Sequence, residues 1–146
     1  MGCYRMRKIL IIGPPGSGKS TLARTLASKL PAVTFEGNEF AASAQLTCPI
    51  EIARHLGWVA DQVAKSGQFV IANLCCETED IRDAFQAHRS AYIIWVDRLK
   101  TASVSRFDRP PIFNIRVTMP GTPEQWASRI AIAIRRSVGA ETRLCV

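Results

Sequence analysis

The stretch from Ile9 to Ala23, ILIIGPPGSGKSTLA, constrains the chain more than any other. An apolar run, KILII (8–12), suits a strand buried on both faces, and KSTLARTLASKL (19–30) repeats apolar residues at helical spacing. Between them Gly13, Gly16, Ser17, Gly18, Lys19 and Ser20 satisfy G-x-x-x-x-G-K-[ST] at every constrained position. Glycines let successive backbone N–H groups turn toward one anion, and the following helix presents its positive end to the same point. Gly13 to Thr21 are therefore expected to hold the phosphates of a nucleotide, with Lys19 on the outer phosphates and the Ser20 hydroxyl on a Mg²⁺ ion. The motif alone leaves open whether the nucleotide is turned over or only bound.

The rest of the chain continues the alternation. AVTF (32–35) reads as a second strand and EGNEFAASAQLTCP (36–49) as a polar, small-residue connection. Residues 50–67 read as a helix whose Ile52, Leu56, Val59 and Val63 stripe faces inward. A third strand (68–74), a helix over 77–89 with Thr78 as N-cap, and a fourth strand (91–97) follow. Residues 98–111 are irregular and cationic; a fifth strand (112–118) leads to a helix over 122–137 opened by a capping box, Thr122 to Gln125. This order predicts an α/β, three-layer arrangement: a mainly parallel five-stranded sheet covered on both faces, with the 146 residues forming one domain.

Charge is unevenly spread. Residues through Asp97 hold ten Lys or Arg against nine Asp or Glu, whereas nine against three follow from Arg98 onward. A basic C-terminal third suits phosphates of a nucleotide, an anionic small substrate or a nucleic-acid backbone, and equally a solvated basic face. Five cysteines, odd in number and without a C-x-x-C pair, argue against a disulfide framework or zinc site and for a reducing cytoplasm. No run of about 18 apolar residues is present to span a bilayer, and the start does not read as a secretory signal. His55 and His88 have no metal-ligand spacing.

Beyond the loop, the pattern resembles the adenylylsulfate kinase group of P-loop kinases, especially its short bacterial and phage-type members. The resemblance rests on GPPGSGKSTLA, FEGNEF, VAKSGQFVIANL, YIIWVD and PPIFNIRVT in this order, and spans about residues 8 to 118. It implies a P-loop NTPase fold of the nucleotide-kinase type and transfer of the γ-phosphoryl of ATP to a hydroxyl on a small sulfated nucleotide. Members usually carry Asp at the position of Asn38 and Arg at that of Ala41, and the short ones commonly carry Asp where this chain has Asn73. Asn hydrogen-bonds to a metal-bound water but is neither a carboxylate base nor a counter-charge for Mg²⁺.

Glu36 and Glu39 flank Asn38, and Glu77 follows the third strand. Glu36 ranks above Glu39 because it ends a strand, beside the crevice where such sheets bind ligands. Arg98, Lys100, Arg106 and Arg109 lie where P-loop kinases carry a lid, with Asp97 as its anchor, and Arg54 resembles a helical residue that contacts the acceptor. The resulting expectation gives catalytic roles to Lys19, Glu36, Asn38 and Arg106, nucleotide contacts to the loop and Arg109, and acceptor contacts to Glu39, Arg54 and Asn73, with ATP and Mg²⁺ as cosubstrate and metal. Three readings stay open: transfer to a small nucleotide-like acceptor such as adenylylsulfate, transfer to a nucleic-acid hydroxyl or modified base, and a nucleotide-binding regulatory module without transfer.

Overall fold

The computed structural model describes residues 7–98, 108–118 and 120–145, with side chains through Gly139. Five strands among these residues form one parallel sheet: β1 (Lys8–Ile12), β2 (Ala32–Glu36), β3 (Phe69–Leu74), β4 (Tyr92–Val96) and β5 (Ile115–Val117). Their order is β2-β3-β1-β4-β5, so successive strands diverge to opposite sides of β1. The helices are α1 (Lys19–Lys29), α2 (Gly37–Ala44), α3 (Pro49–Lys65), α4 (Glu79–Phe85) and α5 (Pro123–Cys145).

Alternation along β1 divides the core. Ile9 and Ile11 pack with Leu22 and Leu26 of α1 and Ile130 and Ile134 of α5, while Leu10 and Ile12 pack with Leu56 of α3 and Phe85 of α4. Each β1 residue is buried, as a central strand covered on both faces requires. Lys8, read from the sequence as part of the apolar run, is buried too. Its ammonium meets Asp61 Oδ1 at 2.8 Å and donates to the carbonyls of Phe85 at 2.8 Å and Arg89 at 2.9 Å, joining β1, α3 and the end of α4. Burial lowers its pKa, opposed by Asp61.

Several expected boundaries move. Residues 37–44 form α2 instead of a connection, because the Glu36 carboxylate accepts from the Glu39 N–H at 2.8 Å and caps the helix while Phe40 packs on the α3 side of the core. The inward face of α3 is Ala53, Leu56, Ala60 and Ala64, rotated from the expected stripe, with Ile52, Val59 and Val63 half-buried. Helix α4 stops at Phe85, and α5 runs past Ser137 to Cys145. Strand β5 keeps three residues; before it, Asn114 accepts from the Ile93 N–H through its side chain at 2.8 Å and donates its own N–H to the Ile93 carbonyl at 2.9 Å. Both expected caps hold: Thr78 accepts from Ile81 N, and Thr122 and Gln125 exchange hydrogen bonds at 3.2 and 3.0 Å.

Candidate functional site

The loop after β1 turns through two left-handed glycines into an uncapped helix start. Gly16 and Gly18 lie at φ 79° and 97°, in the left-handed region that glycine enters without steric cost. Helix α1 then starts at Lys19 with no side-chain cap and no acidic residue in its first turn, so its first N–H groups and dipole are left for a ligand. Ser17 N donates to Pro14 O at 3.2 Å, and Lys19 Nζ reaches back to the same carbonyl at 3.0 Å. The Ser17 hydroxyl is buried, 5% exposed, with no hydrogen-bond partner among the described residues. Such a group is open to a partner beyond the described residues. Gly13 lies beneath, where an added Cβ would meet Ser17 Oγ and Val96 O at 2.8 Å.

Two cavities open on either side of this loop. The first, about 480 Å³, takes Gly16, Lys19 and Ser20 from the loop, Glu36 and Asn38 from the end of β2 and start of α2, and Asn73 from β3. Parallel pairing sets this convergence: Glu36 lies opposite Asn73 in register, and Asn73 opposite Ile11 of β1. Pro49, Ile52, Leu74 and Ile81 supply an apolar wall, and Cys75, Cys76 and Glu77 complete it. The second cavity, about 180 Å³, lies between Ser17, Gly18, Thr21 and Leu22 on one side and Val96, Arg98, Val117 and Pro123 on the other.

The predicted residues therefore divide. Lys19, Ser20, Glu36, Asn38 and Asn73 share the larger cavity, and Ser17, Gly18 and Thr21 share the smaller. One oxygen of Glu36 is committed to the cap of α2. Glu39 is exposed and lines neither cavity, Arg54 is exposed and paired with Glu51, and Arg109 is exposed away from both. Arg106 and Lys100 lie outside the described residues. Arg98 donates to Gly121 O at 2.6 Å, and Asp97 accepts from Arg116 Nε at 2.9 Å, while the Arg116 guanidinium lies 4.7 Å over the Trp95 ring. Of the basic residues after Asp97, Arg98 lines the smaller cavity beside the loop, whereas Arg135 donates to Lys29 O, at the far end of α1 from Lys19.

The donor set of the larger cavity, a hydroxyl, two amides and two carboxylates, is oxygen-rich and suits a hard cation. No group of three His, Cys, Asp or Glu capable of holding a metal occurs among the described residues. Cys76, buried in the wall with φ 48°, has its thiol pKa pushed up to about 12 by burial and is an uncharged packing group at neutral pH. The apolar wall was missed from sequence; its signal, Ile52 and Ile81 near the starts of their helices, is shared with ordinary core positions.

The fold is that of several small-molecule kinases. The Mycobacterium tuberculosis APS kinase CysC, in complex with AMPPNP and APS, superposes with TM-score 0.75 at 19% identity over 88% of this chain and 98% of that one. A gluconokinase from Sinorhizobium meliloti gives TM-score 0.66 at 12% identity over 96% and 98%, and a shikimate kinase from Aquifex aeolicus 0.59 at 16% over 88% and 96%. At these identities the likeness establishes the fold, and the resemblance to adenylylsulfate kinases seen in the sequence holds at that level. No curated protein sequence matches the chain. A family model matches residues 8–120, from β1 through the loop that precedes α5, and the chain belongs to that family, the AAA domain (dynein-related subfamily).

Proposed function

We propose that this chain is a Mg²⁺-ATP-dependent phosphotransferase acting on a hydroxyl of a small acceptor held in the larger cavity. The observation that carries the reading is the shared wall: the Lys19 and Ser20 side chains of the phosphate loop open into the same 480 Å³ space as Glu36, Asn38 and Asn73. An acceptor there would lie beside the outermost phosphate, and alignment is the main requirement of phosphoryl transfer. In the proposed step the acceptor oxygen forms a bond to the γ-phosphorus. The bond from phosphorus to the β–γ bridging oxygen breaks with its electron pair left on ADP, and the hydroxyl proton passes to the free oxygen of Glu36 or to water. Lys19 neutralises charge on the migrating group, and the amides of Asn38 and Asn73 orient the hydroxyl. A Mg²⁺ ion bound at Ser20 would add charge neutralisation on the phosphates.

The reading treats residues 1–146 as one domain with a basic segment at 98–111, in the cytoplasm. Among the described residues no helix is long and apolar enough to cross a membrane. Adenylylsulfate enters as an acceptor because a protein of this fold carries it in its complex. Transfer to a nucleic-acid hydroxyl is a weaker reading, since Arg98, Arg116 and Arg135 are engaged with protein groups. A module that binds nucleotide without transfer is favoured by one observation: Asn73, at the strand end, offers an amide and no carboxylate.

The test is incubation with γ-labelled ATP and Mg²⁺ against adenylylsulfate, nucleosides, nucleoside monophosphates, polyols and oligonucleotides. Label is expected on a small acceptor and absent with Lys19→Ala. Nucleotide binding with no labelled product from any acceptor would select the non-transferring module.

A further inference from the structure

The walls of the larger cavity have a charge balance that bears on what it accepts. Among the described residues one cation lines it, Lys19, against two carboxylates, Glu36 and Glu77. Lys19 belongs to the phosphate loop and is held at Pro14 O. Arg82 is buried and donates to main-chain carbonyls of Cys76 at 3.0 Å, of Glu77 and of Asp108. Those bonds tie down the chain that forms the wall and direct the guanidinium at backbone oxygens. Arg54 is paired with Glu51 on the exposed side of α3, and Arg98 is bound to Gly121 O beside the smaller cavity. The other polar groups offered to the space are the amides of Asn38 and of Asn73, the latter 6% exposed, with an apolar wall that includes Ile52 and Ile81.

An anionic group brought into such a space loses its water and meets two carboxylates, with no cation besides Lys19 among the described lining residues, which is unfavourable on both counts. Hydroxyls fare differently. A carboxylate accepts from them, and an Asn amide both donates and accepts, so a polyhydroxylated molecule finds matched partners. A volume near 480 Å³ is ample for a monosaccharide or nucleoside.

We infer, on the phosphotransferase reading, that the acceptor is a hydroxyl compound bearing no anionic group: a polyol, nucleoside or amino sugar in preference to a nucleotide, sulfate ester or carboxylate. The carboxylates and amides of Glu36, Glu77, Asn38 and Asn73 select it, and Lys19, the one cation lining it among the described residues, serves the phosphates of ATP.

Matched pairs test this, each assayed with γ-labelled ATP and Mg²⁺: adenosine with adenylylsulfate, methyl shikimate with shikimate, and glucitol with gluconate. In every pair that takes label, the uncharged member is expected to have the higher kcat/KM by about tenfold or more. Glu77→Lys, an exposed substitution on the cavity wall, is expected to reduce that preference by about tenfold through the reversed charge. Equal turnover within the pairs, or preference for the anionic members, overturns the inference while leaving the phosphotransferase reading intact. Label on none of the six compounds, with label on a nucleoside monophosphate or oligonucleotide, likewise overturns the inference and keeps the phosphotransferase reading, whereas label on no acceptor of either panel removes both.

Discussion

Lys19 braces its own loop. With its ammonium 3.0 Å from the Pro14 carbonyl, the side chain is held over the turn that a triphosphate would fill, and it is half-buried without a carboxylate partner among the described residues. Truncation should therefore cost ligand binding far more than folding, because one neutral-acceptor hydrogen bond contributes only about 1 kcal/mol net to stability. Lys19→Ala is expected to weaken Mg²⁺-ATP binding by about 100-fold, as a charge-assisted contact to phosphate predicts, with the urea midpoint of the ligand-free protein almost unchanged. Calorimetric titration beside equilibrium unfolding checks both; a large loss of stability would recast Lys19 as a structural residue. Cys76 gives a second prediction at this scale. Its thiol pKa stands at about 12 in the fold against 9.0 for an unperturbed thiol. Below pH 9 both states keep the proton and the group adds no pH dependence. Between about pH 9 and 12 the unfolded chain releases the proton while the folded one retains it, so stability falls as pH rises. The stability difference between the natural chain and Cys76→Ala should drop by about 1 kcal/mol from pH 8 to pH 10; a flat difference in urea titrations at the two values would refute it.

Packing between α3 and α4 depends on a position with no side chain. A Cβ on Gly57 would come within 2.2 Å of the Phe85 carbonyl oxygen, whose other contact is the ammonium of Lys8 at 2.8 Å. Gly57→Ala must push the end of α4 outward and disturb the Lys8–Asp61 pair, overriding the better helix propensity of alanine. Destabilisation of about 1–3 kcal/mol is expected in urea unfolding, and a neutral or stabilising result would show that the two helices do not approach this closely. The same contact explains one thing the sequence conceals. Periodicity weighs large apolar residues and so favours Ile52, Val59 and Val63, whereas the buried face is carried by Ala53, Gly57, Ala60 and Ala64, whose smallness lets α4 in. Helix α2 was hidden for a related reason: its start is fixed by the Glu36 carboxylate at a strand end, and Ala41, Ala42 and Ala44 read as linker only if that cap is overlooked. Local signals were legible. The β1 run, the Thr78 cap and the Thr122–Gln125 box involve neighbours within a few residues, so their partners are visible in the sequence itself.

At the scale of the molecule, the strand order places the loop where β1 has β3 on one side and β4 on the other, the point at which open parallel sheets receive ligands. The larger cavity lies toward β2 and β3, the smaller toward β4 and β5, and the loop divides them. The glycine-rich turn after β1 was readable because its residues are consecutive. The rest of the site was readable only in part: Glu36 and Asn73 sit at strand ends that the topology brings into register, while the wall of Ile52, Leu74 and Ile81 comes from three elements whose convergence no local pattern encodes. Because both cavities meet at one loop, nucleotide binding should stabilise the molecule as a unit and not a local segment. Ligand at 100 times its dissociation constant adds about 2.7 kcal/mol to the folded state, which for a domain of this size raises the thermal midpoint by roughly 5–10 °C. Mg²⁺-ATP at millimolar concentration is expected to give a shift of this order in one cooperative transition, and Lys19→Ala at the same concentration almost none. An unchanged midpoint in the natural chain would mean that the loop between Gly13 and Ser20 holds no triphosphate, and the proposed chemistry on either side of it would fall with that result.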